Sequence, residues 1–193
     1  MSRRITVIQG HPDAGRPHFC HALANEYAAG ATAAGHEVRR IEVATLGLPL
    51  LSSNEEWDTR PAGDAILACQ RDIDWAQHLV ILYPLWLGDM PAMLKGFFEQ
   101  VFRPGFAVPA DGSMGRKLLK GRSARVVVTM GMPAPLYRWF FRAHSLRSLE
   151  RNILAFCGIG PVRDSLIGMV EAGGPAKHQR WLATMRELGR RAH

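Results

Sequence analysis

Apolar residues along the chain follow two different periods, which together predict alternating strands and helices. The runs LVIL at 79–82 and VVV at 126–128 are apolar without alternation, as is typical of strands covered on both faces. Elsewhere, apolar residues recur every three or four positions, as in helices that pack one face on a sheet. The predicted strands are residues 4–9, 36–43, 78–83, 124–131 and 160–170, and the predicted helices are residues 17–35, 65–77, 91–103, 136–156 and 175–191.

This alternation predicts a single α/β domain over residues 1–193, with a doubly wound, five-stranded parallel sheet and helices on both faces. The connection at 45–63 has too many Pro, Gly and Ser residues for one regular element. Its Trp57 is expected to be exposed and to reach toward a partner subunit. In doubly wound sheets, ligands bind beyond the carboxyl ends of the strands, where the strand order reverses. The candidate site is therefore formed by the turns after strands one, three and four, at 10–19, 83–91 and 129–137.

Charge and composition argue against several classes of protein. The net charge is +7, but the arginines are scattered and no aromatic residues are interleaved with them as in single-strand-binding surfaces. We therefore expect no nucleic-acid partner. No apolar run approaches the roughly 20 residues of a membrane span, so no membrane insertion is expected. The three cysteines are scattered without metal-ligand spacing, which predicts no metal site and a reducing, cytoplasmic location.

The turn after the first strand has the features of an anion site. It contains Gly10 and leads into a helix, whose free N–H groups and positive dipole end would face the crevice. His11, Arg16 and His18 flank that helix start. One interpretation is phosphate binding, and the other is an ordinary loop with solvated histidines; the residues alone leave both open. Neither glycine pattern of nucleotide-binding loops follows this strand, which argues against nucleoside triphosphates and the dinucleotide fingerprint.

The turn after the third strand is apolar where most turns are polar. Residues 84–87 read Pro-Leu-Trp-Leu, and a loop tip cannot bury such side chains in its own core. Either a second chain or a flat ligand should therefore cover them, and both hold if the site lies at a dimer interface. An isoalloxazine ring suits this turn, because it is planar and apolar with a polar edge. After the fourth strand, Thr129 and Gly131 are small enough for the backbone to approach the opposite edge of such a ring.

The stretch YPLWLGDMPAMLKGFFEQVFRPGF at 83–106 resembles the flavodoxin-like NAD(P)H dehydrogenase (quinone) family. That family includes the quinone reductases and the ancillary oxidoreductases of glutathione-gated potassium efflux. The opening Gly-His-Pro and the late ILAFCGI at 153–159 are also similar, so the resemblance extends over essentially the whole chain. The residues that match the family pattern in spacing are Pro84, Leu85, Pro91, Ala92, Leu94, Lys95, Gly96, Phe98, Glu99, Val101 and Phe102.

The resemblance implies a flavodoxin-like fold and a bound flavin, either FMN or FAD, with NAD(P)H as reductant. The implied flavin contacts are His11, His18 and Phe19 at the phosphate or ribityl chain, Pro84, Leu85, Trp86 and Leu87 along the ring, and Thr129, Gly131 and Met132 at its pyrimidine end. Tyr137 and His144 are the implied catalytic residues, lining the pocket for nicotinamide and quinone. The sequence departs from the family at the first loop, where the usual Ser and Asn are replaced by His18 or Pro17 and by Cys20.

The activity implied by the resemblance is hydride transfer from NAD(P)H to flavin N5, followed by transfer to a quinone or similar acceptor in a ping-pong mechanism. Azo or nitro reduction is the same chemistry with another acceptor. A regulatory flavoprotein that docks on a membrane transporter is the alternative, and an acidic electron carrier is disfavoured by the charge of +7. Three successive aromatic residues at 139–141 exceed what one buried helical face needs, which predicts a homodimer with the flavin site at its edge.

Overall fold

A parallel sheet with helices on both faces organises the molecule. The computed structural model describes residues 1–58, 62–111, 113 and 116–193. The strands are β1 (Arg4–Gln9), β2 (Glu37–Glu42), β3 (His78–Pro84), β4 (Ser123–Thr129) and β5 (Val162–Ile167). All pairings are parallel and the strand order is β2-β1-β3-β4-β5. The order reverses between β1 and β3, which places a crevice at their carboxyl ends, as in flavodoxin-like folds.

Most of the helices lie close to the residue ranges predicted for them. They are α1 (Phe19–Ala33), α2 (Asn54–Asp58), α3 (Asp64–Trp75), α4 (Ala92–Val101), α5 (His144–Ser148), α6 (Ala155–Cys157) and α7 (Gly174–Arg190). A 3-10 turn, Val43–Thr45, follows β2. Residues 59–61 of the predicted irregular connection lie outside the described residues.

The two hydrophobic clusters explain why the central strands are uniformly apolar. Leu79 and Ile81 of β3 face a cluster with α3, α4 and the 137–157 segment, whereas Val80 and Leu82 face a cluster with α1 and α7. Because successive side chains point to opposite faces, a strand buried on both sides needs apolar residues at every position.

The region predicted as one helix at 136–156 is divided into two parts. Wide π-helical turns cover Leu136–Phe140, and a second helical part runs from α5 through π-helical turns at Leu149–Leu154 into α6. Arg142 and Ala143 lie between them with φ of 53° and 47°. The break is closed by the N–H of Ala143, which donates to the carbonyl oxygen of Tyr137 at 3.0 Å. Periodicity alone does not show such a break, because the apolar spacing continues across it.

Trp57 differs from its expected position in an exposed loop. It lies on α2 and is partly buried, and its indole N–H donates to the carbonyl oxygen of Glu99 on α4 at 3.1 Å. In this structure the indole therefore binds α4 of its own chain and holds the connection between β2 and α3 against that helix.

Helices α1 and α7 approach each other so closely that glycine is needed on both. A Cβ atom at Gly189 would lie 2.0 Å from the carbonyl oxygen of Tyr27, and one at Gly30 would lie 2.0 Å from that of Arg186. Since real Cβ atoms do not come that close to backbone, the two glycines set the distance between the helices. They thereby fix the position of α1, whose first turn forms one end of the crevice.

Candidate functional site

The crevice at the carboxyl edge of the sheet brings together the turns after β1, β3, β4 and β5. It has a volume of about 270 Å³. Its lining residues are His11, His18, Phe19, Cys20, Pro84, Leu85, Trp86, Thr129, Met130, Gly131, Val170 and Glu171. Residues distant in sequence meet here because parallel strands end at the same edge.

Most of the residues predicted to contact a cofactor line this one crevice. Leu87 and Met132 are the two that do not; Leu87 lies at the tip of the adjoining turn and Met132 packs partly against the core. Their predicted roles as flavin contacts stay predictions, since the structure shows where the side chains lie and not what they bind.

The apolar turn after β3 is a tight, strained hairpin. Trp86 and Asp89 exchange backbone hydrogen bonds of 2.9 and 3.0 Å, and Leu87 and Gly88 between them have φ of 48° and 82°. Positive φ at both central residues is typical of type I′ turns, which normally carry Asn or Gly. A leucine there is strained, and it is also fully exposed. Strain of this kind is often found at ligand-binding turns.

Replacing Leu87 by asparagine should stabilise the fold by about 1 kcal/mol, because asparagine tolerates the left-handed conformation that leucine resists. Leu87→Ala is the matched control: it also removes the apolar side chain but keeps a residue that is strained at positive φ. Thermal denaturation of the three proteins without ligand checks this expectation. Equal melting temperatures for the asparagine and alanine variants would show that the turn is not strained.

The other end of the crevice is the start of α1. The N–H groups of Phe19 and Cys20 have no hydrogen-bond acceptor within the described part of the chain, as expected for the first turn of a helix. Gln9 fastens the β1 loop to this turn: its amide donates to the carbonyl oxygen of Cys20 at 3.1 Å, and its Oε1 accepts the N–H of His11 at 3.0 Å. Two free N–H groups and the positive end of the helix dipole therefore face the crevice.

Three histidines surround that helix start. The rings of His11 and His18 are stacked with centroids 3.9 Å apart, and the ring of His21 lies 5.0 Å from that of His11. The ring centroid of Trp86 lies 5.8 Å from that of His11, with the two rings edge to face. This contact joins the histidine cluster to the apolar turn. Burial lowers the pKa of His11 to about 4, with further lowering by His18 and His21. Burial, followed by the charge of His18, also lowers the pKa of His21.

Cys20 lines the crevice without being a nucleophile. Its thiol is buried and donates to Oε1 of Gln9 at 3.4 Å. Burial raises the pKa of the Cys20 thiol to about 12, so the thiolate needed for nucleophilic or redox reactions is not formed near neutral pH.

Sequence reasoning missed the contributions of His21, Met130, Val170 and Glu171. His21 lies three residues after His18, a spacing that puts both on the same side of the first helical turn. Val170 and Glu171 follow β5, whose end was not considered because it lies away from the reversal in strand order. They reach the crevice because the N–H of Val170 donates to the carbonyl oxygen of Met130 at 3.2 Å, joining the ends of β4 and β5.

The two predicted catalytic residues lie outside this crevice. Tyr137 is buried, with its hydroxyl 2.6 Å from Oγ of Ser145 and accepting the N–H of Leu146 at 3.2 Å. His144 lines a separate cavity on the far side of the hairpin turn, together with Gly88 and Asp89. Their catalytic roles remain predictions; in this structure neither side chain shares a cavity with the residues predicted to hold the flavin.

Comparison with known proteins agrees with this architecture. A family model described as a flavodoxin-like fold matches residues 3–189. An uncharacterized NAD(P)H oxidoreductase of Haemophilus influenzae is 28% identical over 166 residues, which cover 84% of this chain and 82% of that protein. An FMN-dependent NADH:quinone oxidoreductase of Nitratidesulfovibrio vulgaris is 32% identical over 139 residues, covering 68% of this chain and 65% of that protein.

A solved structure, an NAD(P)H:quinone oxidoreductase from Methanothermobacter marburgensis, superimposes with a TM-score of 0.82 at 23% identity, covering 98% of this chain and 96% of that one. The chain belongs to the family with the flavodoxin-like fold, which confirms the resemblance and the fold predicted from the sequence. Within the described residues, no helix is both long and apolar enough to span a membrane.

The residues at this edge fit a flavin. Trp86, whose side chain is half exposed, presents a flat apolar surface, and the N–H groups at the start of α1 face the same crevice with the imidazoles as further donors. Gly131 leaves space against Glu171: a Cβ atom there would lie 3.0 Å from Oε2 of Glu171. An apolar surface for a ring and an anion site for a phosphate thus occupy one cavity.

Proposed function

We propose that this chain is a flavin-dependent oxidoreductase that uses NAD(P)H to reduce a quinone or a chemically similar acceptor. The observation that carries the proposal is the single crevice in which the hairpin turn at Trp86 and the start of α1 face each other. The names of two relatives, an NAD(P)H oxidoreductase and an FMN-dependent NADH:quinone oxidoreductase, support the same activity.

FMN is the flavin we propose. One helix start with a compact group of imidazoles suits a single terminal phosphate, and the relative from Nitratidesulfovibrio vulgaris is named for its dependence on FMN. The bound flavin supplies the hydride-accepting and hydride-donating chemistry. In this proposal the N–H groups at the start of α1 would bind the phosphate, and Trp86 would lie against the ring.

The residues of the crevice supply orientation more than acid–base catalysis. The thiol of Cys20 stays protonated because burial raises its pKa, and the phenol of Tyr137 is engaged by Ser145 and Leu146. The backbone just after β3 is held in place by β4, since the N–H of Leu85 donates to the carbonyl oxygen of Thr129 at 2.8 Å. The ring-binding turn is thus attached directly to the two central strands of the sheet.

A homodimer is part of this proposal. Trp139 and Phe140 are each 75% exposed, and Phe141 is 43% exposed, on the segment that follows β4. These exposed aromatic side chains, and the exposed Leu87 on the hairpin turn, are the apolar groups that a second copy of the chain would cover. Light scattering on the purified protein measures this directly, and a monodisperse monomer that binds flavin tightly would contradict the dimer.

The function is tested by purifying the protein, recording its absorption at about 450 nm, where oxidised flavins absorb, and identifying the released cofactor by mass. We expect a yellow protein that is bleached by NADH or NADPH without oxygen and regains its colour when a quinone is added. Release of FAD would correct the choice of flavin alone. A colourless protein that takes up no added flavin would refute the proposed function.

A further inference from the structure

A second cavity lies on the far side of the hairpin turn from the crevice. It has a volume of about 490 Å³ and is lined by Gly88 and Asp89 of the turn and by six residues between positions 144 and 152. Every one of its lining residues is glycine or carries a polar or charged side chain. A pocket for a flat apolar ring is normally lined by apolar side chains, so this cavity suits a group rich in hydroxyl and charged oxygen atoms instead.

Two arginines give this cavity its positive charge. Arg147 belongs to α5 and Arg151 to the helical turns that follow it, and both exposed side chains line the cavity. Within the described part of the chain, neither guanidinium takes part in a hydrogen bond or an ion pair. Like charges four residues apart on a helical segment repel each other, so the pair destabilises the segment unless an anion lies between the two groups.

The acidic groups nearby do not neutralise these two arginines. Asp89 is the one carboxylate among the residues that line the cavity, and its Oδ1 already accepts a backbone N–H of the turn at 2.7 Å. Glu150 is within electrostatic range of Arg147 but does not line the cavity. Asp164 is paired with Arg138. Two guanidiniums therefore share the cavity with one carboxylate, which leaves a positive charge for the anionic group of a ligand.

The hairpin turn borders both this cavity and the crevice of the proposed flavin site. Trp86 lines the crevice, and Asp89, its backbone partner across the turn, lines the cavity. The ends of such a four-residue turn are less than about 7 Å apart. A dinucleotide with its nicotinamide over a ring in the crevice is long enough to cross the turn and to place its adenosine ribose in the cavity.

We propose that this cavity binds the 2′-phosphate of NADPH through Arg147 and Arg151, so that the protein prefers NADPH to NADH. The inference rests on the proposed function and names which of the two reductants serves it. A guanidinium presents a planar set of donors that matches phosphate oxygens, and N⁺–H···O⁻ bonds are roughly twice as strong as neutral ones. Ser148 and Asn152 of the same cavity supply hydrogen-bonding groups for the ribose that carries the phosphate. NADH has a hydroxyl in place of that phosphate and gains little from the two guanidiniums.

Two substitutions and a matched control test the roles of the arginines. In Arg147→Gln and in Arg151→Gln, the KM for NADPH should rise roughly five- to tenfold, at the lower end for charged hydrogen bonds because the cavity is open to solvent. The KM for NADH and the kcat with either reductant should stay the same. Arg180→Gln removes an exposed arginine from α7, which packs on the opposite face of the sheet, and causes the same change in net charge. It should leave both KM values unchanged.

Two further measurements do not depend on turnover. Calorimetric titration compares 2′,5′-ADP, which carries the 2′-phosphate, with 5′-AMP, which lacks it. We expect 2′,5′-ADP to bind the unaltered protein more tightly, and each cavity variant to lose that difference. Thermal denaturation reports on folding: removal of either arginine relieves the repulsion between them, so the melting temperature should not fall.

The outcomes distinguish this inference from the function on which it rests. Equal KM values for NADPH and NADH, with equal binding of the two nucleotides, would refute the inference and leave the flavoprotein assignment standing. An effect of the two substitutions confined to a sulfonated naphthoquinone, compared with an unsubstituted one, would assign the arginines to an acidic acceptor and would also overturn it. If neither reductant bleaches the bound flavin, the proposed function fails, and the titration with 2′,5′-ADP still decides whether the cavity binds a 2′-phosphate.

Discussion

Gly189→Ala is expected to destabilise the protein by about 3 kcal/mol or more, the upper end of overpacking effects. A Cβ atom there would lie 2.0 Å from the carbonyl oxygen of Tyr27 and 3.0 Å from the amide nitrogen of Ala31. Both atoms belong to the backbone of α1, so the clash is relieved only if the two helices separate. For a chain of this size, the melting temperature should fall by about 10 °C, as measured by circular dichroism.

Gly96→Ala is the matched control, since it is also a glycine-to-alanine change inside a helix. Its Cβ would meet only Cδ2 of Leu50, the end of a flexible and exposed side chain, at 2.8 Å. The alanine gains helix propensity of up to about 1 kcal/mol, so we expect little change or a small stabilisation. Equal losses in the two variants would mean that the close approach of α1 and α7 does not limit stability.

Trp86→Ala is expected to raise the Kd for FMN by roughly thirtyfold, because stacking of a flat ring on an aromatic side chain is worth about 1–3 kcal/mol. Trp86 is half exposed on a turn attached to the central strands, so its removal should affect binding more than folding. Titration of flavin fluorescence, with thermal denaturation in parallel, separates the two effects.

Trp75→Ala serves as the comparison. Trp75 ends α3 near the amino edge of the sheet, where the guanidinium of Arg39 lies over its ring at 4.2 Å. Its loss should reduce stability and leave the Kd for FMN unchanged. If Trp86→Ala binds FMN as tightly as the unaltered protein, the hairpin turn is not the surface that holds the ring.

The departure of the first loop from its family pattern gains a physical meaning from the structure. His18 and Cys20 stand where the family usually has small polar residues, which by sequence alone made the phosphate contacts uncertain. In the structure, the thiol of Cys20 is buried against Gln9, and the ring of His18 stacks on that of His11. At both positions the side chain thus has hydrogen-bond partners within the chain.

Regular periodicity was enough to predict the layers of the fold. Uninterrupted apolar runs such as 79–82 and 126–128 identify strands that are buried on both faces, and alternation with helices then implies a parallel sheet. The predicted strands and helices correspond to the observed ones, apart from the break at Arg142–Ala143 and the short helix that carries Trp57. The break is marked by backbone with positive φ and the short helix lies in a connection rich in Pro, Gly and Ser, and neither feature leaves a periodic signal.

The sequence by itself determined the α/β class, the parallel sheet, the apolar turn at 84–87 and the helix start after the first strand, because these features leave a local or periodic pattern in the chain. Only the tertiary structure decided which turns meet, that Glu171 joins the crevice, and that Tyr137 and His144 lie outside it. These positions depend on how strands and helices pack at long range.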